Sequence, residues 1–393
     1  MTERDHLELA ADRRLVIVER PGGLAAVPTV RDPDGSWRRA APGDGVAEAM
    51  LDVLADGSAE YGNFTVVSWT QCRAAGERPI TVDQTNESVI VGGEAIVKWA
   101  THLDDGPHPA PGRITALRAA GFAGMPTPWG LVTWRSPRGE QTLVATIDEY
   151  LPGAVDGWTW AVDLVTTAAQ DPAARPRMIA AADAVGSLVA DMHTALAATA
   201  SVADAAQARA WRDGAFETLE TAVALSTSVS GAILRERRGY IEALLDGLGS
   251  LAGIPVFEGH GDLHVGQVLQ TEGRFVITDF DGNPVLSAEA RMQPIPTAFD
   301  VAGMVQSLAH VAIVARKYTD LEPHALTDVS NLVRRTFLDA YQRSAPRYDP
   351  APLRALRLQQ VLREIIYAAK HLPRWMYVPD AALPELLDEG ITA

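Results

Sequence analysis

Alternating apolar and polar positions dominate the first 150 residues, and this alternation predicts β-strands with one buried face. Residues 15–30 contain a Pro-Gly-Gly turn and are predicted to form a hairpin. Two apolar strands within residues 81–99 flank Gly92-Gly93, where both residues can adopt positive φ, so a second hairpin is predicted there. Further strands are predicted over residues 64–68, 80–82, 130–134 and 141–149.

From residue 152 onward, apolar residues recur every three or four positions, which is the spacing of helices that bury one face. The break Tyr-Leu-Pro-Gly at residues 150–153 predicts a hinge before this helical part. We therefore predict a small α/β cap over residues 1–78, a second strand-rich region over 79–151 and a helical region over 152–393. Helices are predicted over residues 46–54, 114–122, 178–192, 202–224, 232–251, 297–315, 325–343 and 352–369.

Composition narrows the class of protein. The 393 residues are 47% hydrophobic and 21% charged, as in soluble globular proteins with about two or three structural units. The net charge of −16 argues against a surface that binds nucleic acid. A single cysteine, Cys72, excludes an internal disulfide and fits a reducing compartment. Without a long apolar run or a signal-peptide pattern, the sequence predicts a cytoplasmic protein that does not bind membranes.

The candidate chemistry is concentrated in residues 258–284, which read as a polar loop, a tight two-stranded hairpin and a pair of acids. Asp262 and Gln267 lie on the first arm, and Asp279 and Asp281 end the second. Carboxylates that converge in this way repel one another unless a cation or proton joins them. Oxygen ligands of this kind suit Mg²⁺, which binds one or two carboxylates together with substrate phosphates. The segment therefore predicts magnesium-dependent phosphoryl transfer.

Lys98 ends the second strand of the Gly92-Gly93 hairpin, within the run A-I-V-K-W. In isolation, a lysine at a strand end is more often a surface charge than a ligand contact. Its position upstream of the acidic hairpin favours a functional role. A strand lysine that reaches the α- and β-phosphates, followed much later by an acidic catalytic loop, is the order found in kinases.

The motifs H-G-D-L-H-V-G-Q-V-L (260–269) and V-I-T-D-F-D-G (276–282) resemble the catalytic segment of the aminoglycoside phosphotransferase-like kinases. Gln267 stands where those kinases usually have Asn, and in this the chain resembles the actinobacterial maltokinase and glucosamine kinase group. Glucosamine kinases are the more similar in D-F-D-G-N-P and in the segment 289–304. Three more segments carry the group resemblance: Q-T-N-E-S-V (84–89), E-Y-L-P-G-A-V-D-G-W (149–158) and R-W-M-Y-V-P (374–379).

The resemblance implies an α+β, two-lobed eukaryotic protein kinase-like (aminoglycoside phosphotransferase-like) fold with an N-terminal α/β cap. It implies an ATP-dependent sugar kinase that uses Mg²⁺, with glucosamine converted to glucosamine 6-phosphate as the preferred reaction. Conversion of maltose to maltose 1-phosphate is the alternative, and an aminoglycoside phosphotransferase is the third. The expected partner is a small sugar acceptor, and the expected state is a monomer or dimer.

Carried over by position, Asp262 is the expected catalytic aspartate, which orients the acceptor hydroxyl and takes its proton. Magnesium is expected at Gln267 and Asp279, with Asp281 as a further ligand, and Lys98 is expected on the α- and β-phosphates. The remaining nucleotide contacts are expected from a loop over the phosphates, and from backbone that binds adenine: Gln84, Thr85, Asn86 and Ser88 in the loop, and Glu149, Tyr150 and Leu151 at adenine.

One departure from the kinase pattern concerns the partner of Lys98. Kinases pair the strand lysine with a glutamate on a helix, but the predicted helix 114–122 contains no acid. Either an acid elsewhere, such as Asp104 or Asp105, takes that place, or phosphate alone fixes the lysine.

The acceptor site is expected in the last helix and the tail, because sugar sites combine polar groups with aromatic faces. Spacings of three and seven residues place Glu364, Tyr367 and His371 on one helical face. Trp375 follows, with Arg374 and Tyr377 beside it. Asp300 has two interpretations: its carboxylate anchors the backbone of the catalytic loop, or it faces a substrate ammonium.

A different class of protein also fits part of the sequence. The pattern H-x-D-x-H at His260, Asp262 and His264 is compatible with a zinc metallohydrolase. That hypothesis leaves Lys98 and Gln267 unexplained. A non-catalytic, ligand-binding pseudokinase is disfavoured because the nucleotide and metal positions are all filled.

Overall fold

The computed structural model of the chain describes residues 2–80, 87–103, 106–345 and 348–389. The chain forms two compact units: an N-terminal unit, Met1–Ala154 with Asp279–Gln293, and a C-terminal unit, Val155–Thr278 with Pro294–Ala393. It therefore passes from one unit to the other three times, after residues 154, 278 and 293. The first passage lies close to the predicted boundary at residue 151, whereas the return of residues 279–293 to the N-terminal unit was not predicted.

Two antiparallel sheets form the described part of the N-terminal unit. The first has the order β1-β2-β3-β4, and the second has the order β5-β6-β10-β11-β9-β8-β7. The strands of the first sheet are β1 (Thr2–Ala10), β2 (Arg13–Arg20), β3 (Gly23–Arg31) and β4 (Trp37–Arg39). Those of the second are β5 (Ala59–Tyr61), β6 (Phe64–Ser68), β7 (Glu77–Pro79), β8 (Glu87–Val91), β9 (Ala95–Trp99), β10 (Pro128–Arg135) and β11 (Gln141–Glu149). The predicted hairpins around Gly22-Gly23 and Gly92-Gly93 are both confirmed.

The predicted boundary at residue 78 of the cap over residues 1–78 does not coincide with a division of the structure, because residues 1–154 belong to one unit. Strands β5 and β6 belong to the second sheet, because β6 pairs with β10. One continuous hydrophobic core also joins Ile17 of the first sheet to Trp99 of the second through Met50. Residue 78 falls inside β7, so the expected boundary cuts through a strand.

Three helices complete the described part of this unit: α1 (Val46–Ala55), α2 (Ala110–Ala119) and α8 (Ala288–Arg291). Helix α1 begins after Gly45, which has no side chain to cap it. Glu77 of β7 supplies the missing acceptor, because its carboxylate receives the N–H of Ala47 at 2.6 Å and that of Glu48 at 3.2 Å. For the predicted strand 80–82, Ile80 follows the end of β7 at Pro79 and is not in a strand, and residues 81–82 lie outside the described residues.

The C-terminal unit is mainly helical, with two short ribbons, β12–β13 (Ser201–Val202 and Pro255–Val256) and β14–β15 (Val268–Thr271 and Arg274–Ile277). The predicted single helix 232–251 is two helices that meet at Arg237. The helices of this unit are α3 (Gly157–Gln170), α4 (Arg175–Ala195), α5 (Ala205–Leu225), α6 (Val229–Glu236), α7 (Arg238–Asp246), α9 (Thr297–Tyr318), α10 (Pro323–Ser344), α11 (Leu353–Lys370) and α12 (Tyr377–Asp388).

Helix α9 is the central helix of the C-terminal unit. It is long and apolar enough, by length and composition, to cross a bilayer, but 83% of its apolar window is buried inside the protein. It also carries buried polar side chains that are hydrogen-bonded within the unit, among them Asp300, Gln306 and His310. Its hydrophobicity is therefore that of a core helix. These polar side chains lie next to the candidate site.

Candidate active site

The loop that contains Asp262 is fixed to α9 by a carboxylate beneath it. Asp300 accepts hydrogen bonds from the backbone N–H of His260 at 2.8 Å and of Gly261 at 2.9 Å. Gly259 approaches so closely that a Cβ on it would lie 2.7 Å from Asp300 Oδ2. Two N–H donors on one carboxylate fix the backbone that leads into Asp262.

Asp300 is fully buried, and His193 Nε2 lies 3.3 Å from its Oδ2. Burial acts to raise the pKa of Asp300, but the His193 hydrogen bond, the nearby His260 and the Gly261 N–H outweigh it and lower the pKa. The side chain is therefore an ionised structural anchor. This environment fits the first interpretation of Asp300, and the assignment of Asp300 as a substrate contact does not fit it.

Asp262 lines a small pocket of the C-terminal unit. The pocket is formed by the loop, α9 and α11, through Asp262, Leu263, Phe299, Gly303, Leu356, Gln360 and Arg363. The loop continues from the pocket to Val265, whose N–H donates to Ser307 Oγ at 2.8 Å. Burial lowers the pKa of Arg363 to about 10, and the neighbouring Asp262 acts in the opposite direction. A carboxylate at the edge of a pocket can receive a proton from a bound hydroxyl.

The two histidines of the H-x-D-x-H pattern have other partners. His260 Nε2 lies 3.0 Å from the carbonyl oxygen of Thr278, and its Nδ1 accepts the Asp262 N–H at 3.3 Å. His264 Nδ1 accepts the N–H of Gly266 at 3.0 Å. Within the described residues, no group of three His, Cys, Asp or Glu side chains is arranged to hold a metal ion. The geometry does not support the zinc hypothesis.

The predicted acidic hairpin exists as the ribbon β14–β15. Its turn is Glu272-Gly273, where both residues have positive φ (31° and 83°). At the open end, the carbonyl oxygen of Gln267 accepts the N–H of Thr278 at 2.9 Å. Gln267 Nε2 lies 3.4 Å from His264 Nε2. Asp279 follows Thr278 directly and begins the segment that returns to the N-terminal unit.

In the N-terminal unit, Lys98 and the two acids of the D-F-D segment converge on one point. Lys98 Nζ donates to Asp279 Oδ1 at 3.1 Å and to Asp281 Oδ2 at 3.2 Å. Burial acts to lower the pKa of Lys98, but Asp281 and Asp279 together raise it. Asp279 has a φ of 66°, a left-handed conformation that is uncommon for a non-glycine residue and is often found at functional sites.

Lys98 lies on the same face of the sheet as three other polar residues. It is directly opposite Ser88 on β8 and Thr146 on β11, and Asp148 is two positions beyond Thr146 on that face. Burial raises the pKa of Asp148 to about 7, and the positive charge of Lys98 opposes that shift. Ser88 therefore lies beside Lys98, whereas Gln84, Thr85 and Asn86 lie outside the described residues.

Helix α2 contains no acid that could pair with Lys98. Its Arg113 instead contacts the backbone around the two acids that do. Arg113 is 3% exposed; its Nη1 donates to the carbonyl oxygen of Phe280 at 2.9 Å, and its Nη2 donates to that of Arg291 at 3.1 Å. The helix thus fixes the backbone between Asp279 and Asp281. Those two acids, in turn, are the observed partners of Lys98. Asp104 and Asp105, considered for that role, lie outside the described residues.

The segment expected to bind adenine has most of its polar groups engaged. The N–H of Glu149 donates to the carbonyl oxygen of Thr127 at 2.8 Å, and that of Tyr150 donates to the carbonyl oxygen of Glu94 at 2.7 Å. The Glu149 carboxylate accepts from Thr127. Of the three N–H groups in Glu149–Leu151, that of Leu151 is left as the candidate donor to adenine.

On α11, Glu364 lies between Gln360 and His310. Gln360 Nε2 donates to Glu364 Oε1 at 3.3 Å, and His310 Nδ1 lies 3.3 Å from Glu364 Oε2. Burial raises the pKa of Glu364 to about 8; the hydrogen bond from Gln360 opposes the shift, and Asp262 adds to it. Glu364 therefore lies within electrostatic reach of Asp262. Among the predicted acceptor residues, it is the one whose pKa is shifted by Asp262.

Trp375 belongs to an aromatic cluster near the same loop. Its ring makes an edge contact with Trp158 at 5.4 Å, and Trp158 lies 6.3 Å from the ring of His264. Glycines permit this approach: a Cβ on Gly157 would lie 1.6 Å from the carbonyl oxygen of Val265. The beginning of α3 can therefore pack directly on the loop and present an indole beside it.

The other predicted acceptor residues are on the surface. Tyr367 is 41% exposed, and its ring lies 5.4 Å from that of His371, which is also exposed. Within the described residues, neither side chain makes a hydrogen bond or a ring contact with the residues that line the pocket of Asp262. Their assignment as sugar contacts gains no support from the structure.

Four residues near the site were not predicted: Trp158, Gln360, Arg363 and His310. Gln360 was detectable, because it precedes Glu364 by one helical turn and shares its face. His310 was not, because it lies in a long helix whose residues are mostly buried, where a lone histidine gives no sequence signal.

No family model matches the chain. Its fold is that of a sugar kinase: a solved structure of a glucosamine kinase in complex with glucosamine, ADP and inorganic phosphate is 40% identical in sequence and has a TM-score of 0.86, over 98% of this chain and 93% of the other. This likeness confirms the predicted kinase fold, and the described elements are of the predicted α+β class.

Two relatives identify the family more closely. The glucosamine kinase of Mycolicibacterium smegmatis (strain ATCC 700084 / mc(2)155) is 67% identical over 400 residues, which cover 99% of each chain. The glucosamine kinase of Streptacidiphilus jiangxiensis is 43% identical, over 93% of this chain and 86% of its own length. The chain belongs to the glucosamine kinase family.

Proposed function

We propose that this protein transfers the γ-phosphoryl group of ATP to glucosamine, giving glucosamine 6-phosphate and ADP. The observation that carries the proposal is the pocket in which Asp262 lies beside Gln360 and Arg363, with Glu364 one turn further along α11. The choice of acceptor is supported by the full-length likeness to glucosamine kinases, one of them solved with glucosamine, ADP and phosphate.

The N-terminal unit carries the groups suited to a nucleotide. The carboxylates of Asp279 and Asp281 converge on a single ammonium, that of Lys98, so this arrangement already stabilises positive charge at one point. Such oxygen donors fit magnesium. A magnesium ion bound with ATP would be held by Asp279 and Asp281, with Gln267 as the predicted third ligand, and would neutralise phosphate charge. Lys98 would then bind the α- and β-phosphates, and the N–H of Leu151 would bind adenine.

The C-terminal unit carries the groups that act on the acceptor. Asp262 orients the 6-hydroxyl of the sugar and takes its proton as the oxygen attacks the γ-phosphorus. The bond from that phosphorus to the β,γ-bridging oxygen breaks, and ADP leaves with the bond's electron pair. Little covalent chemistry is needed from the protein in such a transfer, so the precise placement of Asp262 by the loop that Asp300 anchors is its main contribution.

Recognition of the acceptor is assigned to α11 and the aromatic cluster. The Glu364 carboxylate is suited to the ammonium of glucosamine, because a buried acid with a raised pKa gains most from a cationic partner. Trp375, with Trp158, offers an apolar face to the sugar ring. Maltose has no ammonium, so this arrangement favours the amino sugar over maltose.

An acceptor screen tests the proposal. Coupled ADP-release assays with ATP and magnesium would compare glucosamine, maltose, glucose and kanamycin at matched concentrations. We expect the highest kcat/KM with glucosamine, and a product whose phosphate is on O6 by ³¹P–¹H correlation. Preferred turnover of maltose would assign the protein to the alternative reaction, and no turnover above water would contradict the kinase assignment. The cytoplasmic location, for which the single cysteine is one argument, stays a prediction.

A further inference from the structure

Inside the C-terminal unit, a series of neighbouring polar side chains connects Glu364 to Glu389 at the end of α12. His310 of α9 is 1% exposed; its Nδ1 lies 3.3 Å from Glu364 Oε2, and its Nε2 lies 2.9 Å from Gln306 Nε2. Gln306 is also 1% exposed, and its Oε1 accepts from Arg357 Nε at 3.1 Å. Arg357 is itself held by the carboxylate of Glu389, with Nη2 3.0 Å from Oε1.

The chemistry of Arg357 fixes which atom donates in the hydrogen bond between Arg357 and Gln306 and in the one between Gln306 and His310. A guanidinium can only donate, so the atom of Gln306 that faces it must be the carbonyl oxygen. The NH₂ group of Gln306 therefore faces His310 and donates to Nε2. A ring nitrogen that accepts a hydrogen bond carries no proton, so the proton of a neutral His310 is on Nδ1. Nδ1 is the ring nitrogen that lies 3.3 Å from Glu364 Oε2.

His310 is neutral under ordinary conditions. Burial lowers the pKa of His310 to about 3, and the positive charge of Arg357 and the nearby His264 act in the same direction. The ring consequently has one donor and one acceptor. Nε2 accepts from Gln306, whereas Nδ1–H lies beside Glu364 Oε2, which has no hydrogen-bond partner among the described residues.

We propose that His310 is a positioning residue for acceptor recognition: its Nδ1–H, 3.3 Å from Glu364 Oε2, donates to the Glu364 carboxylate once the amino sugar ionises it and so holds the carboxylate on the substrate, and Arg357, through Gln306, sets the tautomer that makes this bond possible. The proposal deepens the proposed function and rests on it in one respect, the contact between Glu364 and the acceptor. His310 itself does not touch the substrate. It acts as a polarised support behind the recognition residue.

The tautomer is tested without any substrate. In protein labelled with ¹⁵N-histidine, the resonances of His310, assigned by their loss in His310→Asn, should show a protonated Nδ1 and an unprotonated Nε2 at pH 7. A proton on Nε2, or on both nitrogens, would overturn the assignment. Because this measurement needs no acceptor, it is independent of whether glucosamine is the substrate.

Kinetics test the positioning role. His310→Leu removes the donor, and we expect the KM for glucosamine to rise about 10-fold or more while the KM for ATP changes less than about 2-fold. His310→Asn places an amide N–H near the position of Nδ1 and should restore most of the loss. His324→Leu, at an exposed histidine on α10, is the matched control and should leave both constants unchanged. Wild-type turnover of glucosamine separates the two claims: without it the proposed function fails, whatever the histidine does.

A purely structural role predicts a different result. In that case His310→Leu would lower the melting temperature, and the constants for ATP and glucosamine would change together. An unchanged KM for glucosamine in folded His310→Leu would also overturn the proposal. Should that variant fail to fold, Gln306→Leu keeps the histidine but removes the group that sets its tautomer. We expect Gln306→Leu to raise the KM for glucosamine and to shift the ¹⁵N resonances of His310 towards a mixture of tautomers, and unchanged values of both would contradict the relay.

Discussion

The backbone N–H of Gly261 donates to Asp300 Oδ1 at 2.9 Å, across 39 positions of sequence, and this bond ties the loop of Asp262 to the core helix α9. Asp300→Asn keeps the size of the side chain but replaces one acceptor with an NH₂ group. One buried N–H then faces a donor, at a cost of about 1–3 kcal/mol in the free energy of unfolding. Urea denaturation would measure the loss of stability. Asp339→Asn, at an exposed position of α10, is the control. Equal stability of the two variants would show that Asp300 is not an anchor.

The pH dependence of stability provides a second test of Asp300. Its pKa in the folded protein is lowered from 3.8, so its ionised form stabilises the fold above that value. This contribution is lost as the pH falls below 3.8 through the folded-state pKa. We expect the difference in the free energy of unfolding between wild type and Asp300→Asn to shrink on acidification in that range, as measured by urea titration at a series of pH values.

Asp262→Asn should separate binding from transfer. An amide still fills the pocket but cannot take the proton of the acceptor hydroxyl. We expect ATP binding, measured by calorimetry, to be retained while kcat falls by a factor on the order of 10² or more. Retained activity would remove Asp262 from the catalytic role.

Asp279→Ala should act on the nucleotide instead. The substitution removes one of the two carboxylates on Lys98 and one predicted magnesium ligand. We expect the affinity for ATP in the presence of magnesium to fall at least about 10-fold, while affinity measured in EDTA changes much less. Asp56→Ala, at an exposed acid of the same unit, is the control. Equal losses with and without magnesium would argue against the metal assignment.

The raised pKa of Glu364 predicts that glucosamine binding releases protons. With a pKa of about 8, the side chain is largely protonated at pH 7, and an ammonium beside it would favour the ionised form. Calorimetric titrations in buffers with different ionisation enthalpies should therefore detect proton release on binding to wild type at pH 7. Glu364→Gln should bind glucosamine more weakly and release fewer protons.

Glu364 also makes a prediction about stability that needs no ligand. Its folded-state pKa lies above the ordinary value of 4.5, so the protonated acid stabilises the fold. That contribution is complete below about pH 4.5 and is lost as the pH rises towards 8. Relative to Glu364→Gln, the wild-type protein should become less stable over this range, and a flat difference would show that the acid has an ordinary pKa.

Local chemistry made part of this structure predictable. The Gly92-Gly93 and Glu272-Gly273 turns were read correctly because each contains glycine at a position of positive φ. The order of Lys98, Asp262 and the D-F-D segment indicated a kinase because phosphoryl transfer needs few groups in a fixed order along the chain. The spacing of apolar residues predicted one helix over 232–251 where the structure has two. Leu234, Ile241 and Leu245 are all buried at helical spacing, although α6 ends at Glu236 and α7 begins at Arg238.

Other features depend on contacts that one segment cannot reveal. Strand β1 was missed because, of its nine residues, Leu7 is the one that is buried, so the segment reads as polar. Helix α12 was read as a tail because Pro379 and Pro384 lie within it. The partners of Lys98, and the pairing of His310 with Glu364, join residues far apart in sequence. Composition and spacing contain no information on either contact.

The return of residues 279–293 to the N-terminal unit has a consequence for how the protein is made. Arg113 is translated early, but the two carbonyl groups that its guanidinium binds belong to Phe280 and Arg291. On the ribosome, those acceptors do not yet exist when residue 154 emerges. The first unit to be synthesised therefore cannot finish folding before the ribosome has passed residue 291, well into the second. Cutting the gene at residue 154 would therefore yield a fragment that lacks Asp279 and Asp281, the two acids that pair with Lys98.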